Sequence, residues 1–445
     1  MDAALEEEIH RVGRDLAAAL PSRARHPLRA VDEKTMEVAS RDAELRAALF
    51  RFVDVVPACR SLDDLARHLG HFLEEVDERP PPLEAAMRMA HTRPGRAALG
   101  AAAAAGVRHM AHRFIVGETP REVIGVLRAL WERGVGVSLD LLGETTVTEA
   151  EADRYAQRCE NALEELARAH AGWPERPRLE RDSVGPVPRA NLSVKVSALT
   201  PLLRPDAPEL GKRDAAGRLR RLLRRARDLD AHLHVDMESL DSRDAVLELI
   251  MELLAEDEFA AGPSTGVVLQ AYLRDSPDQL GRILDWSASC PRRPPLVVRL
   301  VKGAYWDHEV IEASQHGWPA PVFEDKAECD RNFETLTRGL LDARPAVRVA
   351  VASHNLRSIS HAIAWNRRAG APEDDVEFQI LRGLGDDLQE ALAARGFRVR
   401  TYCPVGDLVA GMAYLVRRLL ENTSNEGFLA QAAHGQPLDE LLAAP

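Results

Sequence analysis

Eight short apolar, β-rich runs alternate with helix-period segments from about residue 119 onward, and some 115 preceding residues carry helical signals alone. Together these predict an α/β fold, a (β/α)8 barrel behind an α-helical N-terminal arm. The length agrees, since such a barrel takes about 250 residues and the chain has 445. The expected division is an arm over 1–115, a barrel over 116–430 and a tail over 431–445. A doubly wound parallel sheet is the alternative arrangement.

Within the arm, Ser61-Leu-Asp-Asp64 reads as an N-cap with an acidic first turn, ahead of Leu65, Leu69 and Phe72 at helical spacing. Pro80-Pro81-Pro82 is expected to break the arm, and Ala97 to Ala105 to be helical on alanine propensity. Such an arm packs on its own domain or on a partner subunit. At Thr119-Pro-Arg-Glu122 a capping box precedes Val123, Val126, Leu127 and Leu130, and the pattern becomes helix, loop, strand, repeated. The strands fall in 135–143, 191–197, 232–238, 266–272, 295–306, 347–355, 376–381 and 399–402, with helix-period segments such as 215–228, 242–254, 278–286, 332–341 and 388–395 between them.

The stretch Pro295-Leu-Val-Val-Arg299-Leu-Val-Lys302-Gly303-Ala-Tyr305-Trp306 is not explained by packing alone. Aliphatic residues on both parities mark a strand buried on both faces. Two cations inside such a run call for an anion, a cofactor or paired carboxylates nearby, because an unpaired buried charge costs several kcal/mol, of order. Cations that only snorkel to the barrel rim are the plain alternative. Active sites of these barrels lie at the C-terminal strand ends. There the sequence places Glu144, Lys195, Asp236, Glu238, Gln270, Arg299, Lys302, His354 and Tyr402. A final helix over 408–422 carries Tyr414, Arg417, Arg418 and Glu421 on one broad face. Two adjacent arginines suit a carboxylate, since each planar guanidinium pairs with two oxygens. A solvated face with an Arg417–Glu421 pair is the alternative.

Composition narrows the function classes. A net charge of -12 argues against general nucleic-acid binding. The five cysteines are scattered and contain no C-x-x-C, so neither a disulfide framework nor a zinc site is indicated. The acidic start does not read as a signal peptide, and no run reaches the ~18 apolar residues of a membrane span. A cytoplasmic protein is expected.

Two motifs, Arg299-Leu-Val-Lys-Gly-Ala-Tyr-Trp306 and Tyr414-Leu-Val-Arg-Arg-Leu-Leu-Glu-Asn422, resemble signatures of the flavin-dependent proline dehydrogenases, in particular the proline dehydrogenase half of proline utilization A. Asp140-Leu-Leu-Gly-Glu144, Val194-Lys-Val-Ser-Ala-Leu199, Asp236-Met-Glu238, Gln270-Ala-Tyr272 and Glu377-Phe-Gln379 match in order, so the resemblance runs from about residue 25 to 430. It implies a distorted barrel with the last helix over the strand ends and FAD held there without a Rossmann fold. The implied reaction is oxidation of L-proline to Δ1-pyrroline-5-carboxylate by hydride transfer from C5 to flavin N5, the first step of proline catabolism to glutamate.

Carried over by position, the resemblance puts Arg417 and Arg418 on the proline carboxylate, with Glu144 pairing to Arg417 as a gate. Lys195, Asp236, Tyr305, Leu381, Tyr402 and Tyr414 surround the substrate ring. Gln270, Arg299, Lys302, Gly303, Trp306, His354 and Glu421 hold FAD, with Arg299 near N5. It further implies a quinone or other electron acceptor, met at the inner membrane surface, and leaves open a homo-oligomer or a separate aldehyde dehydrogenase partner, as well as the choice between proline and hydroxyproline. Bifunctional members continue into an aldehyde dehydrogenase and some begin with a ribbon-helix-helix domain; no part of this sequence reads as either. Cys403 and Asp407 depart from the commonest form of their loop. The rival readings are a Schiff-base barrel aldolase using Lys195 or Lys302, and an inactive scaffold derived from the dehydrogenase.

Overall fold

The computed structural model describes residues 2–21, 43–77, 81–143, 146–407, 411 and 436–445. Strand β1 (Val135–Leu141) is followed by a small antiparallel hairpin, β2 (Arg181–Asp182) and β3 (Gly185–Pro186), which the sequence reading missed. Then come β4 (Asn191–Val194), β5 (His232–Val235), β6 (Ser264–Gln270), β7 (Leu296–Val301), β8 (Val347–Ala352), β9 (Val376–Leu381) and β10 (Arg398–Val405). All but the hairpin strands pair in parallel with their sequence neighbours, and β10 returns to β1, closing an eight-stranded barrel. The doubly wound alternative is excluded. Closure leaves no edge strand to protect.

Helices cover the outer side of the barrel, among them Pro208–Asp228, Ser276–Ser289 and Lys326–Asp342. Several begin earlier than apolar periodicity indicates, because their first turns are polar; at Lys326–Asp342 that turn is also capped, Asp325 accepting from the Ala327 N–H at 2.8 Å. The expected capping box at Thr119 is only half made. Thr119 Oγ1 accepts from the Glu122 N–H at 3.4 Å, but the Glu122 carboxylate turns to the Glu118 N–H. The reciprocal pair forms instead at Thr148 and Glu151.

In the arm, Ser61 caps the helix Leu62–Glu74 as expected, its hydroxyl accepting from the Asp64 N–H at 3.1 Å. Leu65, Leu69 and Leu73 pack with Leu45, Phe52, Val76 and Val107 in a core of their own. The helical run of the arm is interrupted at the proline triplet: one helix ends at Glu74, and Pro81 opens the next, Pro81–Met89, where the missing N–H has no partner to lose. The alanine tract lies within the helix Arg93–Phe114. The first helix, Ala3–Ala19, sits against the barrel helix Leu356–Arg368, where Glu6 pairs with Arg357 Nη1 at 2.5 Å. Among the described residues no helix is long and apolar enough to cross a membrane.

The barrel interior is polar. Along β4, β5, β9 and β10 apolar residues face the helices while Asn191 and Ser193, His232 and His234, Glu377 and Gln379, and Arg398 and Arg400 fill the lumen. Gly266 on β6 makes room for the His234 ring, which a Cβ there would strike. Burial lowers His232 to about 3, helped by Arg400, and it also lowers His361 to about 3 and His170 to about 4. In the unfolded chain a histidine takes up its proton near its ordinary 6.5. Between there and pH 4 the unfolded state binds more protons, so stability is lost as pH falls. Lower down, Glu377 acts in the same sense: against the effect of burial, Arg400 holds it at about 2 rather than 4.5. Denaturant unfolding at pH 7 and pH 5 should show a loss of about 2 kcal/mol for each such histidine. Equal stability at the two pH values would refute the neutral assignment.

Candidate active site at the barrel mouth

Asp236, the first residue beyond β5, joins most of the side chains the sequence placed at the mouth. Its Oδ1 accepts from Arg299 Nη1 at 2.6 Å, and its Oδ2 accepts from the Tyr402 hydroxyl at 2.6 Å. Arg299 is 5 % exposed. Expected near the strand end, it sits at the fourth position of β7, deeper than a rim residue, with Val298 and Leu300 turned to the helices by alternation. There its Nε donates to Gln379 Oε1 at 2.6 Å and its Nη2 to Ser193 Oγ at 3.2 Å, and the guanidinium lies 5.4 Å from the Tyr402 ring centre. Snorkelling to the rim is therefore the wrong picture for this arginine.

Lys195 follows β4 and is also buried. Its Nζ donates to Asp140 Oδ1 at 2.6 Å and stands 3.8 Å from Asp236 Oδ2. Burial by itself would lower this ammonium, but Asp140 and then Asp236 more than offset it and hold the group above the ordinary lysine range. Tyr402 is pushed the other way from ionisation, well above its ordinary value, by burial and the two carboxylates.

The loops above the lumen are tied by side chains to backbone. Gln270 closes β6 and donates from Nε2 to the Glu238 carbonyl at 3.0 Å, while its buried Oε1 has no partner among the described residues. The Leu381 N–H donates to His354 Nε2 at 3.0 Å, joining the ends of β8 and β9. Lys302 pairs with Asp330, which Lys326 shares. Gly303 has φ +142, and a Cβ would run into the Tyr272 ring, so glycine is required there on both counts. Half-buried Tyr305 precedes the helix Trp306–His316, and Trp306, 40 % exposed, anchors its Nε1 on the Phe323 carbonyl at 2.9 Å.

The structure thus brings Lys195, Asp236, Arg299 and Tyr402 into one cluster and sets Gln270, Lys302, Gly303, Tyr305, Trp306, His354 and Leu381 at strand ends around it. Glu144, Tyr414, Arg417, Arg418 and Glu421, with the helix expected over 408–422, lie outside the described residues. Sequence reasoning gave no role to Asp140, Gln379 or Asp330, which partner three of its chosen cations.

A closed parallel barrel with a buried, paired charge cluster at the C-terminal mouth of its strands defines an enzyme of the (β/α)8 class. A family model for proline dehydrogenase matches residues 123–431, and one for the proline utilization A N-terminal domain matches residues 6–114. The chain belongs to the proline dehydrogenase family. It is 33% identical over 350 residues to the bifunctional protein PutA of Salmonella typhimurium, covering 76% of this chain and 25% of that protein. With the proline dehydrogenase of Deinococcus radiodurans it shares 32% identity over 324 residues, 73% of this chain and 89% of that protein. The crystal structure of proline utilization A from Bdellovibrio bacteriovorus inactivated by N-propargylglycine superposes with a TM-score of 0.88 at 33% identity, over 99% of this chain and 44% of that one. The chain therefore spans about a quarter of that curated bifunctional relative and under half of that solved one.

Because each partner of a buried ion pair is left uncompensated when the other is removed, Asp236→Leu and Arg299→Met should each cost about 3–5 kcal/mol of stability. The double variant should cost clearly less than their sum. Additive losses in a denaturant-based double-mutant cycle would show that the two side chains are independent.

Proposed function

We propose that the chain oxidises L-proline at C5 to Δ1-pyrroline-5-carboxylate with FAD as the acceptor. The observation that carries this reading is the Asp236 junction, which sets the family-motif residues Lys195, Arg299 and Tyr402 around one carboxylate at the strand ends. The mouth also suits a flavin: the buried Gln270 Oε1 finds no donor among the described residues, and a heteroaromatic ring bearing N–H groups supplies one. Gln270, Arg299, Lys302, Gly303, Trp306 and His354 would hold the cofactor, with Glu421 added from the last helix. When bound, FAD supplies a two-electron hydride acceptor, which no side chain of the protein can provide.

The chain's own part is electrostatic and steric. Oxidation removes a hydride from C5 and a proton from the ring nitrogen, the proton passing to solvent, and leaves a C=N bond. Arg417 and Arg418 pair with the substrate carboxylate, Glu144 closes over Arg417, and Tyr305, Leu381 and Tyr414 enclose the ring. Arg299, fixed by Asp236 and Gln379, keeps a permanent positive charge under the mouth and favours negative charge on the reduced cofactor. Lys195 adds a second cation, and the Tyr402 hydroxyl keeps Asp236 from turning toward the ligand. An aldolase working through Lys195 is disfavoured by the same geometry, since a Schiff-base lysine must be neutral whereas Lys195 is locked to Asp140 as an ammonium. The electron acceptor is proposed to be a quinone or similar carrier.

On protein supplemented with FAD, proline should reduce an artificial electron-accepting dye, and Arg418→Met should raise the proline KM about tenfold or more, the cost of one charge-assisted contact. Tetrahydro-2-furoate keeps the ring and carboxylate but has no nitrogen lone pair to drive hydride loss. It should compete with proline and shift the flavin absorbance bands, and both effects should weaken together in Arg418→Met. Noncompetitive inhibition, or inhibition with an unperturbed spectrum, would separate the arginine pair from the flavin and sink the assignment.

A further inference from the structure

Asp140 is fully buried near the end of β1, between the strands that carry Lys195 and Tyr402: its register partners are Ser193 on β4 and Pro404 on β10. Its Oδ1 takes the Lys195 ammonium at 2.6 Å and its Oδ2 makes no hydrogen bond among the described residues; burial raises the Asp140 carboxyl, and Lys195 with the nearby Tyr402 hydroxyl opposes that. The nearest competing acceptor for that ammonium is Asp236 Oδ2 at 3.8 Å, an atom already receiving the Tyr402 hydroxyl at 2.6 Å. Both oxygens of Asp236 are thus in use, one by Arg299 and one by Tyr402. An ammonium has three donors, and among the described residues Lys195 directs one of them into a hydrogen bond, at Asp140.

We propose that Asp140 is a positioning residue that draws the Lys195 ammonium to the β1 side of the mouth, leaving Asp236 to Arg299 and Tyr402 and leaving the remaining N–H donors of Lys195 to an anionic group of the substrate. Remove the Asp140 charge, and the ammonium turns to Asp236, loosening Tyr402 and Arg299 together. The inference rests on the proline reading for the identity of the anionic group, the substrate carboxylate, and on geometry alone for the hold on Lys195.

Competitive acylation of the full chain with acetic anhydride across a pH series, read at Lys195 by peptide mass spectrometry, tests the hold without any substrate. In the unsubstituted protein the Lys195 midpoint should lie above the ordinary lysine value of about 10.4. Asp140→Asn, nearly isosteric, should lower the midpoint by a unit or more, and Asp140→Glu should keep it high. The same Asn variant should raise the proline KM tenfold or more, and should add no further increase in a Lys195→Met background. An unchanged midpoint in a folded Asp140→Asn protein overturns the proposal. Should that variant not fold, the Lys195→Met/Asp140→Asn double variant decides, because it no longer buries an uncompensated ammonium: recovered folding supports the proposal, and a double variant that folds no better overturns it. If proline proves not to be the substrate, the acylation midpoints still respond to Asp140; if the midpoints fail while proline is oxidised, the positioning role alone falls.

Discussion

The ion pair between Asp236 and Arg299 is the contact on which the rest of the barrel depends. An arginine in the middle of a closed barrel has no water to solvate it, so its position is tolerable only while Asp236, Gln379 and Ser193 keep their places. Those partners are bound in turn. Gln379 donates to Glu377 Oε1 at 2.7 Å, Arg400 donates to the same oxygen at 2.9 Å, and Arg398 reaches from beside Glu377 to Asp182 at 3.4 Å. Asp182 also takes Arg348 at 2.9 Å. A ladder of charges therefore runs from the mouth through the lumen to the hairpin of β2 and β3, which supplies the last carboxylate. That hairpin, remote from the mouth, is held to the barrel a second time by Ser183 Oγ on Asp375 at 2.7 Å.

Legibility from the sequence follows this division between local and distant causes. Strand count, strand starts and the cap at Ser61 are local properties, and β9 has the limits that its apolar run indicates. The polar lumen was also legible, yet it went unread. Asn-Leu-Ser-Val-Lys195, His-Leu-His-Val-Asp236, Glu-Phe-Gln-Ile-Leu381 and Arg-Val-Arg-Thr-Tyr402 alternate at the strand period, whereas strands buried in an apolar barrel read as continuous runs. What the sequence does not encode locally is who pairs with whom. Arg299 meets residues 63, 80 and 106 positions away, and Tyr402 meets one 166 away. No periodicity reports such pairings: Asp140 was legible as the start of the motif Asp140-Leu-Leu-Gly-Glu144 but not as the partner of Lys195, and Asp330 carried no signal of its own. The hairpin escaped because two residues per strand are too few for any pattern.

Holding the mouth together and receiving a ligand fall to the same residues. Gln270 fixes the backbone of the segment after β5 through Glu238, and Glu309 accepts the Leu240 N–H at 3.0 Å from that same segment. The segment carrying Asp236 is thereby tied to both β6 and the helix Trp306–His316. His354 does the equivalent for β9 through the Leu381 N–H. Side chains that resemblance assigns to the cofactor thus fix the loops even before any ligand is considered, and a substitution at Gln270 or His354 acts on both at once. Preorganisation of this kind is what barrel sites need, because their functional groups arrive on separate loops.

The two lysines of the mouth show which chemistry that preorganisation favours. Lys302 is lowered by burial, opposed by Asp330, an anion it shares with Lys326. Lys195 is raised despite deeper enclosure, because two carboxylates face it and one of them, Asp140, accepts a hydrogen bond from it. A site built around a nucleophilic amine would surround it with apolar groups or other cations, so that the neutral form prevails near pH 7. Here the more enclosed lysine is kept charged, an arginine below it is fixed at three of its nitrogens, and a tyrosine hydroxyl is kept protonated against the intervening carboxylate. Such an arrangement holds Lys195 and Arg299 in place without lending either as a base or nucleophile. It suits a reaction in which the bonds to carbon are changed by a bound cofactor and the protein's task is to fix an anionic substrate and the charge that develops beside it.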